Sequence, residues 1–100
     1  MEYTPDTTTE AGKHQFILFV SGMSVKSGHA IENLRKICET HLADNFELKI
    51  IDISRDKEQA VNHQIVAVPT LIRTYPDPPR IILGDLSDTN KVLKILNIDL

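Results

Sequence analysis

The stretch Ala67–Asp88, AVPTLIRTYPDPPRIILGDLSD, decides how the second half of the chain is built. Pro69, Pro76, Pro78 and Pro79 punctuate it. Proline fixes φ and removes a backbone donor, so strands can run only between these positions. Two apolar runs remain, Leu71–Tyr75 and Ile81–Leu83, and Pro76-Asp77-Pro78-Pro79 between them reads as a rigid turn. Gly84-Asp85-Leu86-Ser87 then leads into a final helix, with Ser87 as its expected cap and Val92, Leu93 and Leu96 turned inward. Both strand-like runs are short, and their type is open to more than one packing.

Upstream the pattern is firmer. Phe16-Ile17-Leu18-Phe19-Val20 is a continuous apolar run that suits a central strand covered on both faces. Ser24 is placed to cap a helix over Val25–Leu42, where Ile31, Leu34, Cys38 and Leu42 share one face and Ala30 and Ile37 widen it. Phe46, Leu48 and Ile50 alternate with Glu47 and Lys49 before Ile51 and Ile53, which gives a second strand. Strand, long helix, strand is a βαβ unit, so these strands should be parallel. A short helix should follow, capped by Ser54, with Asp56 and Glu58 near its positive end and Ala60, Val61 and Ile65 on its buried side.

With 100 residues, 41% of them hydrophobic and 25% charged, the chain suits one soluble globular domain over residues 14–100. Residues 1–13 are rich in Thr and poor in apolar side chains, and read as a disordered tail. They contain no apolar segment of the kind a signal peptide needs, and no apolar run in the chain is long enough to span a membrane. A net charge of −3 argues against a general nucleic-acid or anionic-membrane binder. The single cysteine, Cys38, cannot form an intramolecular disulfide. We expect a cytoplasmic protein whose small core gains stability from oligomerisation.

Catalytic chemistry is hard to find in the sequence. The four histidines, His14, His29, His41 and His63, show no metal-ligand spacing, there is no glycine-rich phosphate loop, and Ser24 and Ser27 are better explained as helix-capping residues. We expect no cofactor, no metal and no enzymatic activity.

Val68-Pro69-Thr70-Leu71 resembles the proline segment that faces the active site of thioredoxin-like proteins. A thioredoxin places a thiolate at the start of its first helix, where the helix dipole lowers the thiol pKa. This chain has Gly22-Met23-Ser24-Val25-Lys26-Ser27 there. The combination of ILFVSG, LKIIDIS, VAVPTLIRTYPDPPRIILGDLS and KVL, in this order and without a CxxC, resembles the KaiB family of the bacterial Kai clock over roughly His14–Leu100. The resemblance implies an α/β, thioredoxin-like fold: an N-terminal parallel βαβ unit and a C-terminal half with two accessible arrangements, one tetramer-type and one thioredoxin-type. It also implies a non-enzymatic protein that forms a homo-oligomer, a dimer or a tetramer, binds the ring of a KaiC-type ATPase, can engage a KaiA-like protein, and competes with a SasA-type kinase. Carried over by position, the implied partner-binding residues are His29, Gln64, Arg73 and Arg80. The implied switch residues are Pro69, Pro76, Pro78, Pro79, Gly84 and Asp85.

The chain departs from the family pattern at four places, the first being Ser21-Gly22-Met23-Ser24-Val25-Lys26-Ser27 where the family has A-G-x-T-P-x-S. Gln64 stands for a lysine, His29 for an arginine, and Asn97-Ile98-Asp99-Leu100 for a G-L-D-L ending. Two other readings compete: a thioredoxin-like sensor or adaptor in stress signalling, and a thioredoxin-fold redox protein using Cys38.

Overall fold

β1, His14–Val20, is the strand around which the molecule assembles. The computed structural model of the chain describes residues 13–22, 24–43 and 45–98. The expected tail therefore lies outside the described residues, apart from Lys13. After β1 come α1 (Val25–His41), β2 (Phe46–Asp52), α2 (Lys57–Asn62), β3 (Thr70–Tyr75), β4 (Arg80–Leu83) and α3 (Thr89–Leu96). The strands form a four-stranded sheet in the order β2-β1-β3-β4. β1 pairs with β2 in parallel, Phe16 opposite Leu48 and Leu18 opposite Ile50. β3 runs antiparallel to β1, and β4 antiparallel to β3. The βαβ start is the expected one, and the C-terminal half holds the thioredoxin-type arrangement.

Strand alternation divides the apolar residues between two faces. Phe16, Leu18, Val20, Leu71 and Ile82 meet Ala30, Leu34, Ile37 and Cys38 of α1 and Val92, Leu93 and Leu96 of α3. Phe19, Ile51 and Ile72 point to the other face, where Ile17, Ile53, Ile65 and Val68 pack on them. Fully burying one such side chain contributes about 1.5–3 kcal/mol, so the first face carries most of the hydrophobic stabilisation.

Local chemistry sets the helix ends. The Ser24 hydroxyl caps α1 by accepting the Ser27 N–H, as the sequence predicts. α2 and α3 differ from expectation. Asp56, not Ser54, accepts from the Gln59 N–H to cap α2, because the Ser54 hydroxyl is bound to the Asp52 carboxylate at 2.7 Å. Asp88, not Ser87, caps α3 through the Lys91 N–H. α2 buries none of its residues, and Val61 is exposed. A helix of six residues is too short to lay a stripe against the sheet, so Ile65, just beyond it, makes the contact instead. Asn97 closes α3 in the left-handed region, with φ 57°. Its N–H donates to Lys94 and that of Ile98 to Leu93, the bonding of a Schellman cap. Asparagine tolerates this backbone better than most residues, which accounts physically for a helix end without glycine.

Candidate functional site

The start of α1 is the place to look for thioredoxin-type chemistry, and its polar groups are used internally. The Ser27 hydroxyl, buried, accepts the Ser21 N–H at 3.1 Å while Ser24 caps the helix. The Asp52 carboxylate at the end of β2 accepts the Gly22 N–H at 3.0 Å and the Ser54 N–H at 2.9 Å, tying the β1–α1 loop to the sheet. The Ser54 hydroxyl, followed by these two N–H groups, holds this carboxyl below the usual carboxylate range. Cys38 is fully buried, and burial, with Glu39 adding to it, pushes its thiol up to about 12. Such a thiol carries almost no thiolate at neutral pH and has no path to a substrate. Among the described residues no group of three or more His, Cys, Asp or Glu side chains could hold a metal ion.

The other segments converge where β3 and β4 meet the loops. Pro69 is buried, and its carbonyl accepts the Gly84 N–H at 3.0 Å. The peptide bonds preceding Pro69, Pro76 and Pro78 are cis. Gly84 has φ +109°, a backbone position that a residue with a Cβ takes only under strain. The Asp85 carboxylate accepts the Ser87 N–H, and its backbone carbonyl accepts from Asn33 of α1 at 2.8 Å. Ser87 side-chain and backbone bonds lower the Asp85 pKa, helped by the positive fields of Lys26 and His29. His29 is exposed on α1, facing this turn. A cleft of about 190 Å³ runs between Lys26, Asp85, Ser87 and Lys91.

On the opposite face lies a larger cleft of about 330 Å³, between β4 and the segment that follows α2. His63, Gln64, Ile65, Val66, Ile81 and Leu83 form its walls, and Thr70 and Ile72 its floor. Gln64 is exposed and left-handed, with φ 57°. The His63 ring lies against Phe19, 5.1 Å between centroids. These walls can hold an apolar segment with a few polar groups at its edge, and they offer no nucleophile or general base aimed at a common point.

Arg80 is exposed at the start of β4, and of the four residues expected to meet a partner it, His29 and Gln64 are all on the surface. Arg73 is not, and its expected place in a partner surface is corrected here: it is 3% exposed. Alternation puts Arg73 on the same face as Leu71, beneath the end of α3. Its guanidinium donates to the Leu96 carbonyl and, at 2.8 Å, to the Pro78 carbonyl. Burial and the neighbouring Arg80 lower its pKa. Arg73 thus ties the proline turn to the end of α3. The three surface residues do not form one patch: His29 is near Asp85, Gln64 is in the large cleft, and Arg80 is at the edge strand. Pro76 is half-buried, and Pro78 and Pro79 are exposed in the turn. Ile81, Leu83 and Val66 were missed as candidates, because a short run such as Arg80–Leu83 reads as buried strand whether or not anything covers its outer face.

Residues 17–98 match the model of the KaiB domain family. The circadian clock protein KaiB3 of Synechocystis sp. is 41% identical over 81 residues, 81% of this chain and 79% of that one. The N-terminal domain of SasA from Synechococcus elongatus superposes with a TM-score of 0.69 at 21% identity, over 85% of this chain and 84% of that one. The germline-specific thioredoxin Deadhead of Drosophila melanogaster superposes with a TM-score of 0.69 at 11% identity, over 92% and 86% of the two chains.

Proposed function

Because the chain belongs to the KaiB family, we propose that it is a non-enzymatic protein of the cytoplasm that docks on a KaiC-type ATPase ring and modulates the ring's output. The observation that carries this reading is a thioredoxin-like sheet with its thiol chemistry gone and an apolar cleft left open. The single cysteine lies in the core with its thiol pushed up to about 12, while Ile81, Leu83 and Val66 remain uncovered. His29, Gln64 and Arg80 are polar residues offered to partners at separate places on the surface, and Arg73 holds the proline turn from beneath. Pro69, Pro76, Pro78, Pro79, Gly84 and Asp85 form the joints about which the C-terminal half takes its second arrangement. Likeness to the SasA domain in fold supports competition between this protein and a SasA-type kinase for one docking surface.

The test is a pull-down with the full chain from the cell of origin, followed by size-exclusion mass measurement on mixing with the purified KaiC-type ATPase. The expected result is a ring with added mass and an altered ATPase rate. A ring whose mass and rate are both unchanged at saturating concentration refutes the reading. A second reading, a sensor or adaptor in stress signalling, also draws on the likeness to the SasA domain. It predicts recovery of a kinase in the same pull-down, without the ring.

A further inference from the structure

Two buried side-chain nitrogens among the described residues lack a hydrogen-bond partner, His14 Nδ1 and Arg73 Nε. They belong to one place in the fold. Arg73 of β3 lies opposite Phe16 of β1, and His14 is two residues before Phe16, so the three side chains share one face of the sheet. Positions diagonal across two strands are about 7–8 Å apart, within reach of a long side chain. The His14 ring stacks on that of Phe16, 6.2 Å between centroids and 14° between planes.

Buried charge is normally paired with opposite charge. Arg73 is buried, yet its guanidinium donates to the backbone carbonyls of Leu96 and Pro78 rather than to a carboxylate. A cation held this way tolerates a second cation nearby poorly, because no ion pair offsets the repulsion. His14 is the group that can become that cation. β2 sets Phe46 beside it, while Glu47 and Lys49 alternate so that Glu47 and Lys49 both point to the other face. α1 ends with Leu42 in the core and His41 turned to solvent, and α3 brings Leu96 and Ile98 with Lys94 exposed. β3 carries Arg73, with Tyr75 paired to Gln15 beyond an irregularity in the ladder, and β4 places Arg80 opposite Arg73. Burial first, then the positive field of Arg73, hold His14 below the usual histidine range, against an opposing bond to the Asn45 backbone. A proton on Nδ1 would also create a buried N–H with no acceptor.

We infer that His14 is a proton sensor for the C-terminal half: a proton on its ring sets a second positive charge beside Arg73 and weakens the hold of Arg73 on the proline turn and the end of α3. Above pH 6.5, the ordinary histidine value, the ring is neutral and the tie is complete. As pH falls below 6.5 the tie weakens, because a state with Arg73 released lets the ring take its proton. His29, His41 and His63 are exposed and stand outside this cluster. Asp52 and Asp85 titrate below the usual carboxylate range and so outside this window. The inference does not depend on docking to an ATPase ring.

NMR titration and residue-resolved hydrogen exchange on the full chain test it. The His14 ring should titrate below 6.5, and its midpoint should rise in Arg73→Met, a change that a packing role alone would not produce. Exchange protection, corrected for the intrinsic effect of pH, should fall about threefold to tenfold in β4 and the end of α3 between about pH 7.5 and 5.5, with about tenfold as the ceiling for one proton. Amides of α1 around Leu34 should keep their protection. His14→Phe, which preserves the stack on Phe16, should abolish the pH dependence. An ordinary His14 midpoint, a midpoint that Arg73→Met leaves in place, unchanged protection in β4 and α3, an equal loss in α1, or a pH dependence that survives in His14→Phe would overturn it. Ring titration and protection in the unsubstituted protein decide the matter even if both variants fail to fold.

Discussion

The two halves of this chain are held together by different means. From His14 to Asp52, a strand buried on both faces packs under a 17-residue helix whose Ala30, Leu34, Ile37 and Cys38 are all buried. From Lys57 to Ile98 the elements have six, six, four and eight residues, and α2 buries nothing. Three of the non-glycine residues with positive φ, Gln64, Leu86 and Asn97, are in this second half, and Arg73 joins its parts through backbone carbonyls. The first half is an apolar frame. The second rests on that frame through β3 and α3, and elsewhere depends on caps, turns and one buried guanidinium. Segments with few buried contacts open at lower free energy than the core, and binding surfaces that rearrange are drawn from them. The contrast fits the proposal of a fixed N-terminal unit and a C-terminal half with a second arrangement.

The largest expected effect comes from damaging the frame. Leu34→Ala removes a fully buried side chain between α1 and the sheet and should cost about 2–5 kcal/mol. Both halves should lose stability together, read as one shifted urea transition. Separate transitions, with β3 and β4 unmoved, would mean that the second half does not rest on the first.

The buried thiol of the frame gives a pH signature. The folded state holds the Cys38 proton to about 12, against 9.0 for a free thiol, so it binds that proton more tightly than the unfolded chain does. The associated stability is complete below pH 9 and is lost as pH rises from there towards 12, at up to about 1.4 kcal/mol per pH unit. Urea midpoints between pH 8 and 10.5 should fall more steeply in the parent than in Cys38→Ala. Parallel slopes would show that the thiol is solvated. Thiol labelling of the folded protein should likewise be far slower than in denaturant.

Arg73→Met tests the other half. It keeps much of the side chain's length but strands the Leu96 and Pro78 carbonyls, at a cost of about 1–3 kcal/mol. Hydrogen exchange should quicken in β4 and α3 and stay unchanged in α1. Equal acceleration in α1 would make Arg73 part of the common core. Gln64→Gly is the mildest probe. Glycine takes the left-handed position after α2 without steric strain, and a gain of up to about 1 kcal/mol is expected in thermal unfolding. A loss there would show that the Gln64 side chain stabilises the cleft wall.

Physical reasons separate what the sequence shows from what it hides. Apolar runs and a hydroxyl at Ser24 identify β1, α1 and β2 because each buries a regular stripe. Capping of α2 and α3 is hidden because Ser54 and Asp56, or Ser87 and Asp88, are chemically equivalent candidates until Asp52 and Asp85 occupy one of each pair. Arg73 misleads because arginine next to a proline-rich turn normally faces solvent, and only the fold shows that it lies beneath the end of α3. The open face of β4 is hidden for the converse reason: Ile81 and Leu83 have the pattern of core residues, and it takes the fold to reveal that β4 is the edge strand of the sheet with both side chains exposed.

Native-state hydrogen exchange across rising denaturant tests the central contrast most directly. Amides of β1, α1 and β2 should exchange through global unfolding alone, whereas those of β4 and α3 should also exchange through a local opening of lower free energy with a smaller denaturant dependence. One common opening free energy and one common denaturant slope for residues 14–98 would contradict the account.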